Sequence, residues 1–190
     1  MRAWLPSFLA SVLILRGSGV VEAGSFAAGW TAMVLLIGSF SNVAGGWISD
    51  RWGRIRVIVA SQLCSAGFSL AIGWCFHASL WLIMSAAALY HVFATSDSGA
   101  LSTGVTELAD LALLGVTLAL QSCLGFLAAA ISPGVTGFVL NAFQQGRAAT
   151  VTSAWQWGPA FSVLGLHVLM GPLSMLALRR AQAKPTNRLI

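Results

Sequence analysis

The chain has 190 residues, of which 57% are hydrophobic and only 8% charged, and its mean hydropathy is +0.84. Soluble domains carry about a quarter charged residues, so ten Lys/Arg and five Asp/Glu leave too little charge to wet a globule of this size. Disorder is excluded by the same apolar composition. The net charge of +5 does not make a nucleic-acid binder, because the basic residues are scattered between long apolar runs, where they act as topology signals. The expectation is an all-α integral membrane protein, with the lipid bilayer as its first partner and no nucleic acid. The cysteines Cys64, Cys75 and Cys123 are odd in number, lie in apolar runs and lack CxxC spacing, which points to neither a disulfide frame nor a zinc site.

A membrane helix needs about 20 mostly apolar residues. Taken in chain order, six segments are predicted as spans: residues 3–15, 26–48, 55–76, 80–106, 111–143 and 158–178, followed by a tail over 179–190. Together they form one six-helix domain covering the whole chain. The first is short, about 20 Å of helix at 1.5 Å per residue, and is expected to be a span whose beginning is missing rather than a signal peptide. Arg16 and the turn-prone Gly17-Ser18-Gly19 close it. The fifth is interrupted by Pro133-Gly134, and the sixth is expected to hold Pro159 in its first turn.

Charge tests the count. With the N-terminus cytoplasmic, Arg2, Arg51, Arg54, Arg56, Arg179, Arg180, Lys184 and Arg188 fall inside, and only Arg16 and Arg147 outside. That asymmetry predicts six crossings of the cell membrane with both termini cytoplasmic. Trp4, Trp47, Trp52, Trp81, Trp155 and Trp157 lie near the proposed helix ends, where amphipathic rings prefer the headgroup level.

Between the second and third spans the sequence reads Gly45-Gly46-Trp47-Ile48-Ser49-Asp50-Arg51-Trp52-Gly53-Arg54-Ile55-Arg56. Two helices joined by about four residues must turn sharply, and Gly53 permits the positive φ such a turn needs. Asp50 is placed to pair with Arg51, with Arg54 or with the positive end of a neighbouring helix. This stretch resembles the signature loop of the major facilitator superfamily of secondary active transporters, with Gly46, Asp50, Arg51, Gly53 and Arg54 in register and Ile55 where a basic residue is usual. In that family the loop is a conformational latch that stabilises the outward-open state. Residues 95–104 are similar to the cytoplasmic part of a tenth helix. Gly125–Leu140, with Ser132-Pro133-Gly134, looks like an eleventh helix, and Gly171-Pro172-Leu173 with Arg179-Arg180 looks like a twelfth helix and tail. The fourth span carries Asp97 and lacks the buried Arg typical of an N-terminal half. The resemblance therefore implies the C-terminal six-helix half of a twelve-helix transporter, moving a small-molecule solute by alternating access. Its partner would be the missing N-terminal half or a second copy of the chain, and no cofactor or metal is implied.

Polar groups inside spans are functional candidates by default. Tyr90, Ala94, Asp97, Leu101 and Gly104 fall on one stripe, which makes Asp97 and Tyr90 candidates for lining a cavity and Asp97 the candidate for proton coupling. Gln121, Gly125, Ala128 and Ser132 form a second stripe, suited equally to helix packing and to solute contact. Gly38, Asn42 and Gly45 form a third, expected to pack against a neighbour. Glu22, Glu107 and Asp110 are expected in loops, solvated or capping. No catalytic residue is expected. An intramembrane serine protease would pair Ser98 with His167, yet Ser96 stands where such enzymes want glycine. The competing expectation is a truncated or non-transporting six-span packing or scaffold protein.

Overall fold

The computed structural model describes residue 1, residues 3–144 and residues 154–183. Its described residues form helices and short connections, without a strand. The helices are α1 (Leu5–Leu15), α2 (Val20–Trp52), α3 (Arg54–Ile72), α4 (Leu80–Leu108), α5 (Leu114–Gln144), α6 (Ala154–Val168) and α7 (Met170–Ala183). Single 3-10 turns at Cys75–His77 and Leu111–Leu113 lead into α4 and α5.

Four stretches are long and apolar enough to cross a membrane: Val20–Trp52, Arg54–Ile72, Leu111–Phe143 and Gln156–Arg180, the last running through α6 and α7. These fit a membrane-embedded protein. The other two predicted spans fall short for different reasons. Helix α1 has 11 residues, and α4, although 29 residues long, carries Tyr90, His91, Thr95, Ser96 and Asp97 in one stretch.

Boundaries differ from expectation in four places. Helix α2 begins at Val20, capped by the extended Gly19, so Glu22 lies in its first turn rather than in a loop, where its charge complements the helix dipole. The connection from α2 to α3 is the single residue Gly53, with φ of +90°, rather than about four residues. Pro159 lies inside α6, because that helix begins before it. The sixth predicted span breaks at Leu169 into α6 and α7, and the reason is local: Pro172 has no N–H to offer the carbonyl of Val168.

Two of the bundle's seams contrast in kind. Helices α2 and α4 approach through Gly38, Gly45 and Gly99. A Cβ on Gly45 would strike the backbone of Ser96, and one on Gly99 would lie 2.8 Å from the carbonyl oxygen of Asn42. Ser41 and Thr95 share a buried hydroxyl contact of 2.6 Å across the same seam. The expected packing role of Gly38, Asn42 and Gly45 follows from this closeness. The second seam is aromatic. Phe8 of α1 is fully buried, with ring centroids 5.3 Å from Trp157, 5.1 Å from Phe161 and 6.0 Å from Phe76. Leu5, Leu9 and Val12 extend this cluster along the same face of α1.

Helix α5 stands apart. Thr136 is its one buried residue among those described, and Val116, Leu120, Phe126 and Phe138 are exposed along its length. An apolar helix so poorly covered by protein is matched to lipid.

Candidate functional site

Helices α3 and α4 run antiparallel and are joined by a ladder of side-chain pairs. The pairs are Arg54 with Glu107, Ser61 with Ser96, Gln62 with Asp97, and Phe68 with Phe93. Two of these rungs belong to candidate sites.

The first site is at the α2–α3 turn. Positive φ at Gly53 reverses the chain within one residue, which brings the start of α3 beside the last turn of α2. There the Arg54 guanidinium contacts Asp50 at 3.0 Å and the Ser49 hydroxyl at 3.1 Å. It also donates from Nε and Nη2 to the two carboxylate oxygens of Glu107, at 2.5 and 2.6 Å. Fork-to-fork geometry of this kind is among the stronger polar contacts. Of the three partners open to Asp50, the structure has Arg54. Arg51 instead lies over the Trp47 ring, 3.9 Å from its centroid. Gly46 faces open space on its Cβ side, although Gly99 crosses nearby.

Glu107 is not a loop residue. It occupies the last turn of α4, and its pairing with Arg54 spans 53 positions of sequence. The hydrogen bonds from Arg54 hold the Glu107 carboxyl below its ordinary range, outweighing desolvation, and the partner's charge adds a smaller lowering. Asp110, by contrast, caps as expected: its Oδ1 accepts from the Ala112 N–H at 3.0 Å. The clasp thus ties the ends of α2, α3 and α4 together. It borders an open cavity of about 710 Å³ into which Arg51, Arg56 and Arg179 also reach.

The second site is a cavity of about 560 Å³. Tyr90, Asp97 and Ser132, singled out from sequence, all line it, together with Gln62 and Ser65 of α3 and Trp4 at the head of α1. His167, Val168, Met170, Gly171 and Ser174 close it where α6 meets α7. Gln121 is not part of it. That residue lies farther along α5, where its Oε1 is buried without a partner and Gly125 faces open space. The second sequence stripe therefore divides: Ser132 reaches the cavity, and Gly125 makes neither a packing contact nor a wall.

Gln62 is a cavity residue that sequence reasoning did not single out. Its Nε2 donates to Asp97 Oδ2 at 3.0 Å, and its Oε1 is buried with no hydrogen-bond partner. Gly171 makes the room for it, since a Cβ there would fall 2.5 Å from Oε1. On the opposite wall, Trp4 Nε1 donates to the carbonyl of Pro133 at 3.1 Å, tying α1 to α5. A polar residue next to Ser61 and one helical turn before Ser65 on α3 was the available signal, but hydropathy weighs it no differently from a surface glutamine.

Among the described residues, no group of three or more His, Cys, Asp or Glu is placed to hold a metal ion, and the three cysteines are free thiols. Of the basic residues used to infer orientation, Arg2, Arg147, Lys184 and Arg188 lie outside the described residues. Arg51, Arg54, Arg56 and Arg179 gather at one end of the bundle, while Arg16 donates to the Ala78 carbonyl beside the turn before α4. Comparison of the chain with protein-family models, with curated proteins and with solved structures finds no match.

Proposed function

We propose that the chain is a six-span protein of the cell membrane with both termini cytoplasmic, acting as the C-terminal half of a major-facilitator-type transporter. It moves a small solute by alternating access, together with an N-terminal six-helix half or a second copy of itself. The observation that carries this reading is the clasp: an arginine after a one-residue glycine turn holds carboxylates from two other helix ends. Such a contact has the form of a switch, because its ion pairs are exposed and exchange readily with water, while two of the helices it joins, α3 and α4, also wall the cavity around Asp97. The gathering of four arginines at the clasp end supports a cytoplasmic position for it. In the six-span reading, α1 and α4 are carried by their neighbours, through the aromatic seam and the α3–α4 ladder respectively.

Two experiments test this. Reporter fusions after Arg147 and after Arg188 should report opposite sides of the membrane, and agreement between them would sink the six-span topology. For transport, a panel of labelled solutes is followed into vesicles holding the chain with and without a partner half. Asp50→Asn should slow the flux by about tenfold, equivalent to roughly 1.4 kcal/mol in the barrier, at unchanged protein level. Equal flux would return the loop to a purely topogenic role.

A further inference from the structure

We infer that the groove between α2 and α3 seats an anionic phospholipid, its phosphate held by Arg51 and Arg56 and an acyl chain lying in the apolar trough beneath them. The inference rests on insertion of the chain in a bilayer and not on transport. The one-residue turn at Gly53 leaves α2 and α3 side by side with a groove of about 560 Å³ between them. Helix α4, packed against both, closes its floor with Val92 and Phe93. Ala44 and Ile48 of α2 and Ala60 and Cys64 of α3 line the walls and are exposed, so the groove lies open along its length to the bundle's surroundings. In a bilayer those surroundings are lipid.

The two ends of the groove differ. Arg51, Trp52 and Arg56 stand at the turn, and no other charged residue lines it among the described residues. From Arg51 down to Ser41 is ten positions of α2, about 15 Å at 1.5 Å per residue, or half of a hydrocarbon core about 30 Å thick. The trough is therefore as deep as one leaflet, with its cations where that leaflet's phosphates lie. Its hydroxyls are already engaged: Ser41 bonds to the Gly38 carbonyl and to Thr95, and Ser96 to Ser61 and the Phe93 carbonyl. The arginines are not. Neither Arg51 nor Arg56 makes an ion pair among the described residues, and Arg51 rests against the Trp47 ring. The nearby carboxylates, Asp50 and Glu107, are both taken by Arg54. Around the adjoining clasp cavity four arginines meet these two carboxylates, so positive charge is in surplus at this end. Guanidinium groups match phosphate oxygens in pairs, and basic pockets between membrane helices favour anionic headgroups. A zwitterionic head would bring its ammonium group to a groove lined by no carboxylate. Trp52 adds an indole ring at the headgroup level that tryptophan prefers.

The test uses the full chain in detergent micelles and native mass spectrometry with three probes. These are phosphatidylglycerol, phosphatidylcholine of the same acyl chains, and glycerol phosphate, which carries the anionic head without a chain. Phosphatidylglycerol should bind at least about tenfold more tightly than phosphatidylcholine, and glycerol phosphate not measurably. Arg51→Gln combined with Arg56→Gln should abolish the preference, whereas Arg179→Gln, outside the groove, should leave most of it. Ala60→Phe, which fills the trough without altering charge, should weaken phosphatidylglycerol by about tenfold. The ranking of probes on the unsubstituted protein needs no variant to fold. Equal binding of the two lipids, or a preference that survives loss of both groove arginines, overturns the inference. A larger loss from Arg179→Gln than from the groove pair would move the site to the clasp cavity and overturn the assignment. Glycerol phosphate binding as tightly as the lipid, or an Ala60→Phe chain that binds normally, overturns the role of the trough. Solute flux without a lipid preference would sink this inference and leave the transporter standing, and a lipid preference without flux would do the reverse. A chain released from membranes by alkaline carbonate would refute insertion, and this inference with it.

Discussion

The seam between α2 and α4 and the seam between α1 and α6 bury opposite kinds of residue. In the first, Gly38, Gly45 and Gly99 let backbones meet, and the contact is finished by the Ser41–Thr95 hydroxyl pair. In the second, Phe8, Trp157 and Phe161 interlock as rings, with centroids between 5.1 and 5.5 Å apart. Lipid is as apolar as leucine, so neither seam gains from leaving water in a bilayer. The difference lies in how tightly each constrains motion. Interlocked rings resist separation in every direction, whereas a smooth glycine seam leaves helices free to slide once their polar contacts exchange.

The largest test of that contrast is Phe8→Ala. Removing the ring at the centre of the aromatic seam should cost about 3 kcal/mol, in the range for truncating a buried aromatic side chain. Equilibrium unfolding in mixed detergent–SDS micelles measures it, and a loss below that of the glycine variant described next would reverse the assignment of the stronger seam. Gly45→Ala follows, with an expected loss of about 1–3 kcal/mol from overpacking, because the new methyl meets the backbone of Ser96 rather than a flexible side chain. A neutral result would mean that α2 and α4 separate freely.

The clasp should respond to pH. Its hydrogen bonds to Arg54 hold Glu107 below its ordinary value of 4.5, so the contribution is complete above that value and is lost as pH falls through the lower folded one. Glu107→Gln should therefore destabilise the protein modestly at pH 7, and the gap between variant and unsubstituted chain should narrow as the pH is lowered below 4.5. A gap that persists in acid would assign the effect to packing instead. Smallest is Ser41→Ala, expected to lose about 0.6 kcal/mol, the average for an interhelical hydrogen bond in a membrane protein. A double-mutant cycle with Thr95→Ala isolates that contact from the other hydrogen bonds Thr95 makes within α4.

Local chemistry was legible from residues alone. Positive φ at Gly53, the Asp50–Arg54 pair one helical turn apart, the small-residue stripe on α2 and the Asp110 cap each depend on neighbours within a few positions. Helical spacing also placed Tyr90 and Asp97 on one face, and the cavity receives both. Illegible were the partners that arrive from afar. Glu107 reads as a loop acid until α4 is seen to run past the expected end at residue 106, and Gln62 reads as an isolated polar residue until α4 brings Asp97 to it. Trp4 reads as an interfacial anchor, yet it bonds to a carbonyl 129 positions away. Gln121 shares its helical stripe with Ser132 but not its cavity, and its Oε1 is buried farther along α5.

The ladder between α3 and α4 bears on how the chain is built as well as on how it stands. In a membrane protein made in order of synthesis, each segment leaving the translocation channel is weighed between lipid and water. Helix α5 passes that weighing by itself, for its apolar surface is nearly unbroken. Helix α4 carries an aspartate near its middle and would be turned back alone. By then α3 has already emerged, bearing Ser61, Gln62 and Phe68 in the order that meets Ser96, Asp97 and Phe93. In the proposed six-span topology the two enter as a hairpin, and the earlier helix serves as the solvent for the later one.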